Sequence, residues 1–417
     1  MQSMLDFSCR GLPVNYRHRT LETEILKASE RFKAVMVSGM RQVGKSTMLQ
    51  NLCAETRTYV RLDDIRAAEL AENARDVFFK QYPAPVLVDE IQRVPELCLE
   101  GKVLADSSDK RGQVWLAGSQ RFAMMKNVPE SLAGRLASFE LLPMSLYERQ
   151  DKAFEQRPYL PAGDLKRGSL TAQTPKETWR TIWQGGWPEV IGAAPKKRNA
   201  FFQTLLQTHI ERDAVRTGIR NLAGYQKLLT VLASRIGREF QLNAVAAEVG
   251  VAVQTVKQWL SVAESSGIIY WLPPFFENVG KTVIKRPKLF LTDTGFAAWL
   301  CNIPSAEALS RAYNSGSFFE NFVIIELLKS WVHNGEQPHF YFYRDTRFNE
   351  IDLLIFDGVE YHPVEIKMTE SPQASMVKAF DNIKGSQVKR GAGALICLTK
   401  EPRYLTSDVV AHSIWDI

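Results

Sequence analysis

The constraint that narrows the fold most is an apolar run of strand length, Ala34-Val35-Met36-Val37-Ser38, leading into Gly39-Met40-Arg41-Gln42-Val43-Gly44-Lys45-Ser46-Thr47. Gly-x-x-x-x-Gly-Lys-Ser between a strand and a helix is a phosphate-binding loop. Its glycines let successive backbone N–H groups turn onto phosphate oxygens, and the helix read from Ser46 to Cys53 adds its positive dipole end. Lys45 is expected to reach the β- and γ-phosphates of ATP, and the Ser46 hydroxyl to ligate Mg²⁺. Such a loop needs a parallel sheet flanked by helices. Further apolar stretches at Thr58 to Leu62, Pro85 to Val88, Val114 to Ala117 and Ser138 to Leu142, separated by helical or turn-rich segments, fit that α/β architecture.

Candidate catalytic groups follow from the strand ends. Asp89-Glu90 closes Val86-Leu87-Val88, so Asp89 is expected to hold Mg²⁺ through water and Glu90 to polarise the attacking water. Ser119, after Trp115-Leu116-Ala117, reads either as a γ-phosphate sensor or, with Gln120, as the cap of the next helix. Charge on a transferred phosphoryl group calls for an arginine, in cis or from a neighbouring subunit of a homo-oligomer. Arg135 is the first candidate and Arg121 the second, and either also reads as a surface ion-pair partner.

A chain of 417 residues should hold more than one domain. The pattern divides into a P-loop domain (1–146), a linker and helical lid (147–221), a winged helix-turn-helix (222–287) and a second α/β domain (288–417). The linker is the polar, Pro/Gly-containing stretch from Tyr147 to about Lys176, and the lid ends in a long helix from Lys196 to Arg216. The helix-turn-helix comprises Tyr225 to Ile236, Leu242 to Val249 and Val253 to Ser265, with Gly250-Val251-Ala252 as the turn and a strand at Ile268 to Leu272. Gln254, Thr255, Lys257 and Gln258 are its candidate DNA contacts, with Lys281, Lys285, Arg286 and Lys288 gripping the backbone and Lys196-Lys197-Arg198 as a substitute surface. The same unit could instead serve to pack domains together. Fifty-two Lys and Arg against 46 Asp and Glu, a net +6, permits a DNA partner without demanding one.

The C-terminal part offers a second constellation. Glu320 lies on the helix Phe318 to Trp331, Asp352 on the strand Glu350 to Phe356, and Glu365 and Lys367 share one face of the strand Tyr361 to Lys367. Three carboxylates that meet can bind Mg²⁺ through oxygen, with Lys367 orienting a water, which is the logic of a metal-dependent phosphodiesterase. A charged E-x-K on a strand also fits an exposed face with a cross-strand ion pair. Cys9, Cys53, Cys98, Cys301 and Cys397 are scattered without a C-x-x-C pair, so neither zinc nor disulfides are expected. No apolar run reaches membrane-spanning length and no signal h-region is present, so a cytoplasmic protein with no membrane partner is expected.

With these residues in view, the chain resembles a bacterial and archaeal family of uncharacterised AAA-type ATPases, which join an AAA-like nucleotide domain to a C-terminal DUF4143 region often described as restriction-endonuclease-like. The resemblance rests on Gly39 to Thr47, Val88 to Gln92, Leu116 to Ser119, Ser131 to Arg135, Gly186 to Glu189, Pro287 to Phe290 leading into Asp293-Thr294-Gly295, and Phe319 to Asn321. It continues in Glu350-Ile351-Asp352 and Glu365-Ile366-Lys367, blocks that also look like the PD-(D/E)xK nuclease core. Many members carry Thr where this chain has Ser46, and both hydroxyls ligate Mg²⁺. The resemblance implies an ATP-hydrolysing protein acting on or near DNA, with a metal-dependent nuclease-like domain. A DNA-binding ATPase with an inactive C-terminal clamp, or a nucleotide switch recruiting a protein partner, are the alternatives.

Overall fold

A computed structural model describes residues 16–53, 57–106, 109–119, 134–165, 168–209, 214–215, 217–275, 286–345, 347, 349–383 and 389–417. Cys9, Gln120, Arg121, Ser131 to Ala133, Arg216, Lys281 and Lys285 lie outside the described residues. The amino-terminal part runs α1 (Leu21–Arg31), β1 (Ala34–Ser38), α2 (Lys45–Cys53), β2 (Thr58–Arg61), α3 (Ile65–Asn73), α4 (Arg75–Gln81), β3 (Val86–Asp89), α5 (Leu97–Asp106), β4 (Val114–Gly118) and β5 (Leu136–Glu140). The strands form one parallel sheet in the order β2-β3-β4-β1-β5. Period-two alternation splits their side chains between two cores. Val35, Val37, Leu87, Trp115 and Ala117 face α1 and α2, whereas Met36, Val86, Val88, Val114 and Leu116 face α3, α4 and α5. β5 begins before the expected Ser138 and ends at Glu140, because Leu141 and Leu142 leave the sheet to pack in the core, Leu141 donating to Ser38 O at 2.8 Å.

The stretch expected as an exposed linker is a packed strap. α6 (Leu146–Arg149) opens it with a Ser145/Glu148 capping box. Ala153 and Gln156 are buried, Tyr159 N bonds Ser330 Oγ, and Gly168 N bonds Asp416 O. Part of its backbone is bonded by the C-terminal part, through Ser330, Trp331 and Asp416, which a local composition cannot reveal.

Next come α7 (Pro175–Gln184), α8 (Pro195–His209), α9 (Leu222–Ser234), β6 (Arg238–Glu239), α10 (Leu242–Val249), α11 (Val253–Ser265), β7 (Ile269–Leu272) and β8 (Lys288–Leu291). β8, placed by sequence with the C-terminal domain, is the central strand of a three-stranded antiparallel sheet, β6-β8-β7. α12 (Thr294–Leu300), α13 (Ala306–Ser310) and α14 (Ser315–Val332) lead to β9 (His339–Arg344), β10 (Glu350–Phe356), β11 (Glu360–Ile366), β12 (Lys389–Arg390), β13 (Gly393–Cys397), β14 (Arg403–Tyr404) and β15 (Val409–Ser413). These strands form a seven-stranded mixed sheet in the order β14-β15-β13-β11-β10-β9, with β12 on β11. β9, β10 and β11 are antiparallel, and β11, β13 and β15 parallel.

α14 is apolar around most of its circumference, as expected of a helix with neighbours on all sides. One continuous apolar cluster runs from Leu21 through α14 to Trp415. Among the described residues no helix is long and apolar enough to cross a membrane.

Candidate functional site

Because β4 lies between β1 and β3, three strand ends stand in a row: Ser38-Gly39, Gly118-Ser119 and Asp89-Glu90. Gly39 has φ +148°, and a Cβ there would fall 2.2 Å from Leu141 O, so both conformation and space require glycine. Lys45 Nζ is buried and donates to Gly39 O at 2.8 Å and Met40 O at 2.7 Å, curled under the loop whose backbone it would leave for phosphate. The loop is pinned from outside. Arg19 Nη1 donates to Val43 O at 2.8 Å, and Trp187 Nε1 to Arg41 O at 3.0 Å. Trp187 sits edge-on to Phe202 and Phe296, with centroids 5.7 and 5.9 Å away, so α8 and α12 buttress the loop through one indole.

On β3, Asp89 Oδ2 accepts from the Tyr59 hydroxyl at 3.0 Å; burial, and then this carboxylate, raise the Tyr59 phenol above its ordinary range. Glu90 adopts the left-handed conformation, φ +61°, at a cost of about 1–2 kcal/mol for a residue with a Cβ. Arg41 Nη1 lies 3.8 Å from Glu90 Oε2, and Gln92 Nε2 donates to that same oxygen. Gln92 Oε1 in turn accepts from Ser119 N at 3.1 Å. Since Ser119 N–H can only donate, it fixes which way the Gln92 amide points. The Ser119 hydroxyl is buried and has no hydrogen-bond partner among the described residues, an orphan beside the loop. The sequence reading named Glu90 and Ser119 but missed the tie between them. Its signal was the glutamine two residues after the acidic pair.

The loop, Lys45, Ser46, Asp89, Glu90 and Ser119 gather at one edge, and Arg135 does not. It immediately precedes β5, at the opposite end of the sheet, about 16 Å back along a five-residue strand at roughly 3.3 Å per residue. It therefore does not complete the site of its own chain.

A second polar node joins the loop to the C-terminal part. Glu148 is fully buried and lies 3.1 Å from Arg19 Nε and 3.2 Å from His333 Nδ1, while Thr20 N and Ser145 N donate to it. Leu142 N donates to His333 Nε2, so the imidazole carries its proton on Nδ1, facing Glu148. Burial alone would raise the Glu148 carboxyl; Arg19 and His333 outweigh it and hold the group well below the usual carboxylate range.

In the C-terminal sheet Asp352 and Glu365 lie on neighbouring strands as expected, and Lys367 pairs with both, 3.5 Å from Asp352 Oδ2 and in direct contact with Glu365 Oε1. Burial and Asp352 push the Glu365 carboxyl up to about 8 against the pull of Lys367, and Glu365 Oε2 is buried without a partner among the described residues. Glu320 is engaged elsewhere. Lys288 lies 3.0 Å from it and 2.6 Å from Glu350. The three carboxylates expected to share Mg²⁺ are thus divided between two ammonium groups, and among the described residues no set of three acidic, His or Cys side chains is gathered for a metal. Among the described residues the three expected ligands do not converge on one divalent ion.

Two expected DNA contacts are corrected. Lys288 is buried in the ion pairs just described. Arg198 is buried on the face of α8 that carries Phe202, Leu205 and His209, donating to Trp183 O and Gly295 O. Arg286, Lys196 and Lys197 are exposed.

Residues 31–150 match the AAA domain, 176–307 a domain of unknown function, DUF8612, and 315–417 another, DUF4143. The uncharacterized protein Rv2008c of Mycobacterium tuberculosis is 26% identical over 86% of this chain and 75% of that protein. MJ1544 of Methanocaldococcus jannaschii, also uncharacterized, is 23% identical over 84% and 78%. Among solved structures, the Walker-type ATPase PABY2304 of Pyrococcus abyssi has a TM-score of 0.42 and 14% identity over 69% of this chain and 99% of that chain. RuvB of Thermotoga maritima has a TM-score of 0.30 and 17% identity over 61% and 87%. By its matched domains, the chain joins a region similar to the AAA domain to a C-terminal region similar to DUF4143.

Proposed function

We propose that the chain hydrolyses ATP and uses the cycle to act on or near DNA. The observation that carries the first half is the row of three strand ends, with Lys45, the orphan Ser119 hydroxyl and Asp89-Glu90 side by side. Lys45 leaves Gly39 O and Met40 O for the β- and γ-phosphates. Mg²⁺, for which the Ser46 hydroxyl and Asp89 are the oxygen donors, would neutralise charge on the phosphates. Glu90 takes the proton of the attacking water, Ser119 Oγ donates to the γ-phosphate, and Gln92 keeps the two in register. Lys45→Ala should lose ATP binding and turnover together, whereas Glu90→Gln should retain ATP and fail to turn it over. Wild-type turnover in Glu90→Gln would overturn the role given to Glu90.

Support for the second half comes from α9, α10 and α11 with the β6-β8-β7 sheet, read as a winged helix. Gln254, Lys257, Gln258 and Ser261 form one exposed stripe on α11 at helical spacing, while Thr255 is half-buried. With Arg286 they make a surface for a DNA duplex. Changing Lys257 and Arg286 to Ala should weaken binding to all sequences alike and flatten the dependence of log affinity on log salt. An unchanged slope would leave the protein-recruiting switch as the reading.

For the C-terminal domain the proposal is a nuclease-like fold acting as a clamp. The cleaving alternative is favoured by the convergence of Asp352, Glu365 and Lys367 on adjacent strands. Incubation with supercoiled, linear and branched DNA, with and without ATP and Mn²⁺, separates them.

A further inference from the structure

The C-terminal carboxylates already hold a cation, and it belongs to the chain. Lys288 opens β8, the central strand of the small sheet, so its side chain reaches across from one unit into another. The residue is 4% exposed and its ammonium lies between Glu350 Oε1 and Glu320 Oε1, while its charge also feels Asp352. Burial by itself would disfavour that ammonium, and the three carboxylates reverse the sign and raise it above the ordinary lysine range. Lys288 Nζ also lies 5.5 Å from the Phe342 ring centroid, on the third of the strands that wall the site.

Two further contacts keep this arrangement in place. Asn321, next to Glu320 on α14, bonds both the N–H and the C=O of Leu291, at 2.9 and 2.8 Å, fastening β8 to that helix. Arg344 on β9 bonds Glu239 on β6 at 2.6 Å and lies 3.8 Å from Glu350, so a second cation bridges the same two units. Withdrawing Lys288 would take from Glu320, whose side chain is 16% exposed, the ammonium 3.0 Å away and leave Glu350 only the more distant Arg344, which is costly.

We infer that the Lys288 ammonium is the resident cation between Glu320 and Glu350, beside Asp352, and takes the place a divalent metal would need. The cluster is then an ionic joint that fixes the three-helix unit, and whatever α11 holds, against the C-terminal sheet. This does not depend on the ATPase reading, because neither Lys288 nor its partners touch the phosphate loop.

The test is a Mn²⁺ titration followed by electron paramagnetic resonance on the nucleotide-free full chain, comparing wild type with Asp352→Asn, Lys288→Met and the double variant. The Asp352→Asn comparison removes any weak binding at the P-loop from consideration. Wild type and Asp352→Asn should bind Mn²⁺ alike. Lys288→Met, which keeps the bulk and removes the charge, should gain a stoichiometric site that the double variant lacks. A wild-type site abolished by Asp352→Asn would overturn the inference, as would a folded Lys288→Met that gains none. Should Lys288→Met fail to fold, the wild-type and Asp352→Asn pair still decides it.

Discussion

At the scale of single residues, the arrangement that most shapes the proposed chemistry is the Gln92 amide between Glu90 and Ser119. A base held in a left-handed backbone and tied through one amide to the neighbouring strand has little freedom to drift. Gln92→Ala should leave nucleotide affinity intact and lower kcat about tenfold to a hundredfold, the size of loss that misplacement by about an ångström brings. Gln92→Glu should do more than misplace. A second carboxylate beside Glu90 disfavours ionisation, so the acid limb of the pH–rate profile should move to higher pH. Equal profiles for wild type and Gln92→Glu would reduce Gln92 to a packing residue. The sequence disclosed Lys45, Asp89 and Glu90 because backbone conformation and phosphate chemistry leave few substitutes at those positions. It did not disclose Lys288 or Arg198, since a charged residue carries no local mark of the partner it will meet. Arg198 had a weak mark, for it repeats with Phe202, Leu205 and His209 at helical spacing while Lys196 and Lys197 fall outside that face.

At the scale of elements, strand order decides what each chain can do alone. Arg135 at the start of β5 is on the far side of the sheet from its own loop, so any contribution it makes to hydrolysis comes from a neighbouring subunit. Specific activity should then rise with protein concentration, and Lys45→Ala mixed with Arg135→Ala should recover activity that neither has alone. A dilution series with flat specific activity would remove Arg135 from the reaction. The strap and α14 make a second element-level prediction. Glu148→Gln leaves Arg19 without its buried anion and should destabilise the protein by about 3–5 kcal/mol at pH 7. Because the folded-state carboxyl is depressed, its stabilisation is present above the unfolded value of about 4.3 and is lost as pH falls below it. The urea midpoints of wild type and variant should therefore differ at pH 7 and converge toward pH 3. Helices α10 and α11 were legible to the residue, since the turn at Gly250 and the apolar period agree locally. The strap was not, because the groups that bury it arrive from α14 and the C-terminus.

At the scale of the whole molecule, all four expected domains contribute to one apolar cluster, while the far faces of the nucleotide and C-terminal sheets keep cores of their own. The apolar cluster passes from α1 through the helical region and α14 into the last strands without a break. Calorimetry should show a single transition, and ATP should raise it as a whole; two resolved transitions would mean that the units melt independently. Residues 315–417 expressed alone should associate, because α14 would keep only the C-terminal half of its surroundings. The same helix bears on how the chain is made. Leu142 finds its acceptor in His333, 191 residues further along. At ribosomal speeds of roughly 5–20 residues per second, the finished nucleotide sheet waits about 10–40 s for the helix that covers its flank. A nascent chain paused before Ser315 presents that flank uncovered, which makes it a natural client for a chaperone and makes the timing of translation part of how this protein reaches its fold.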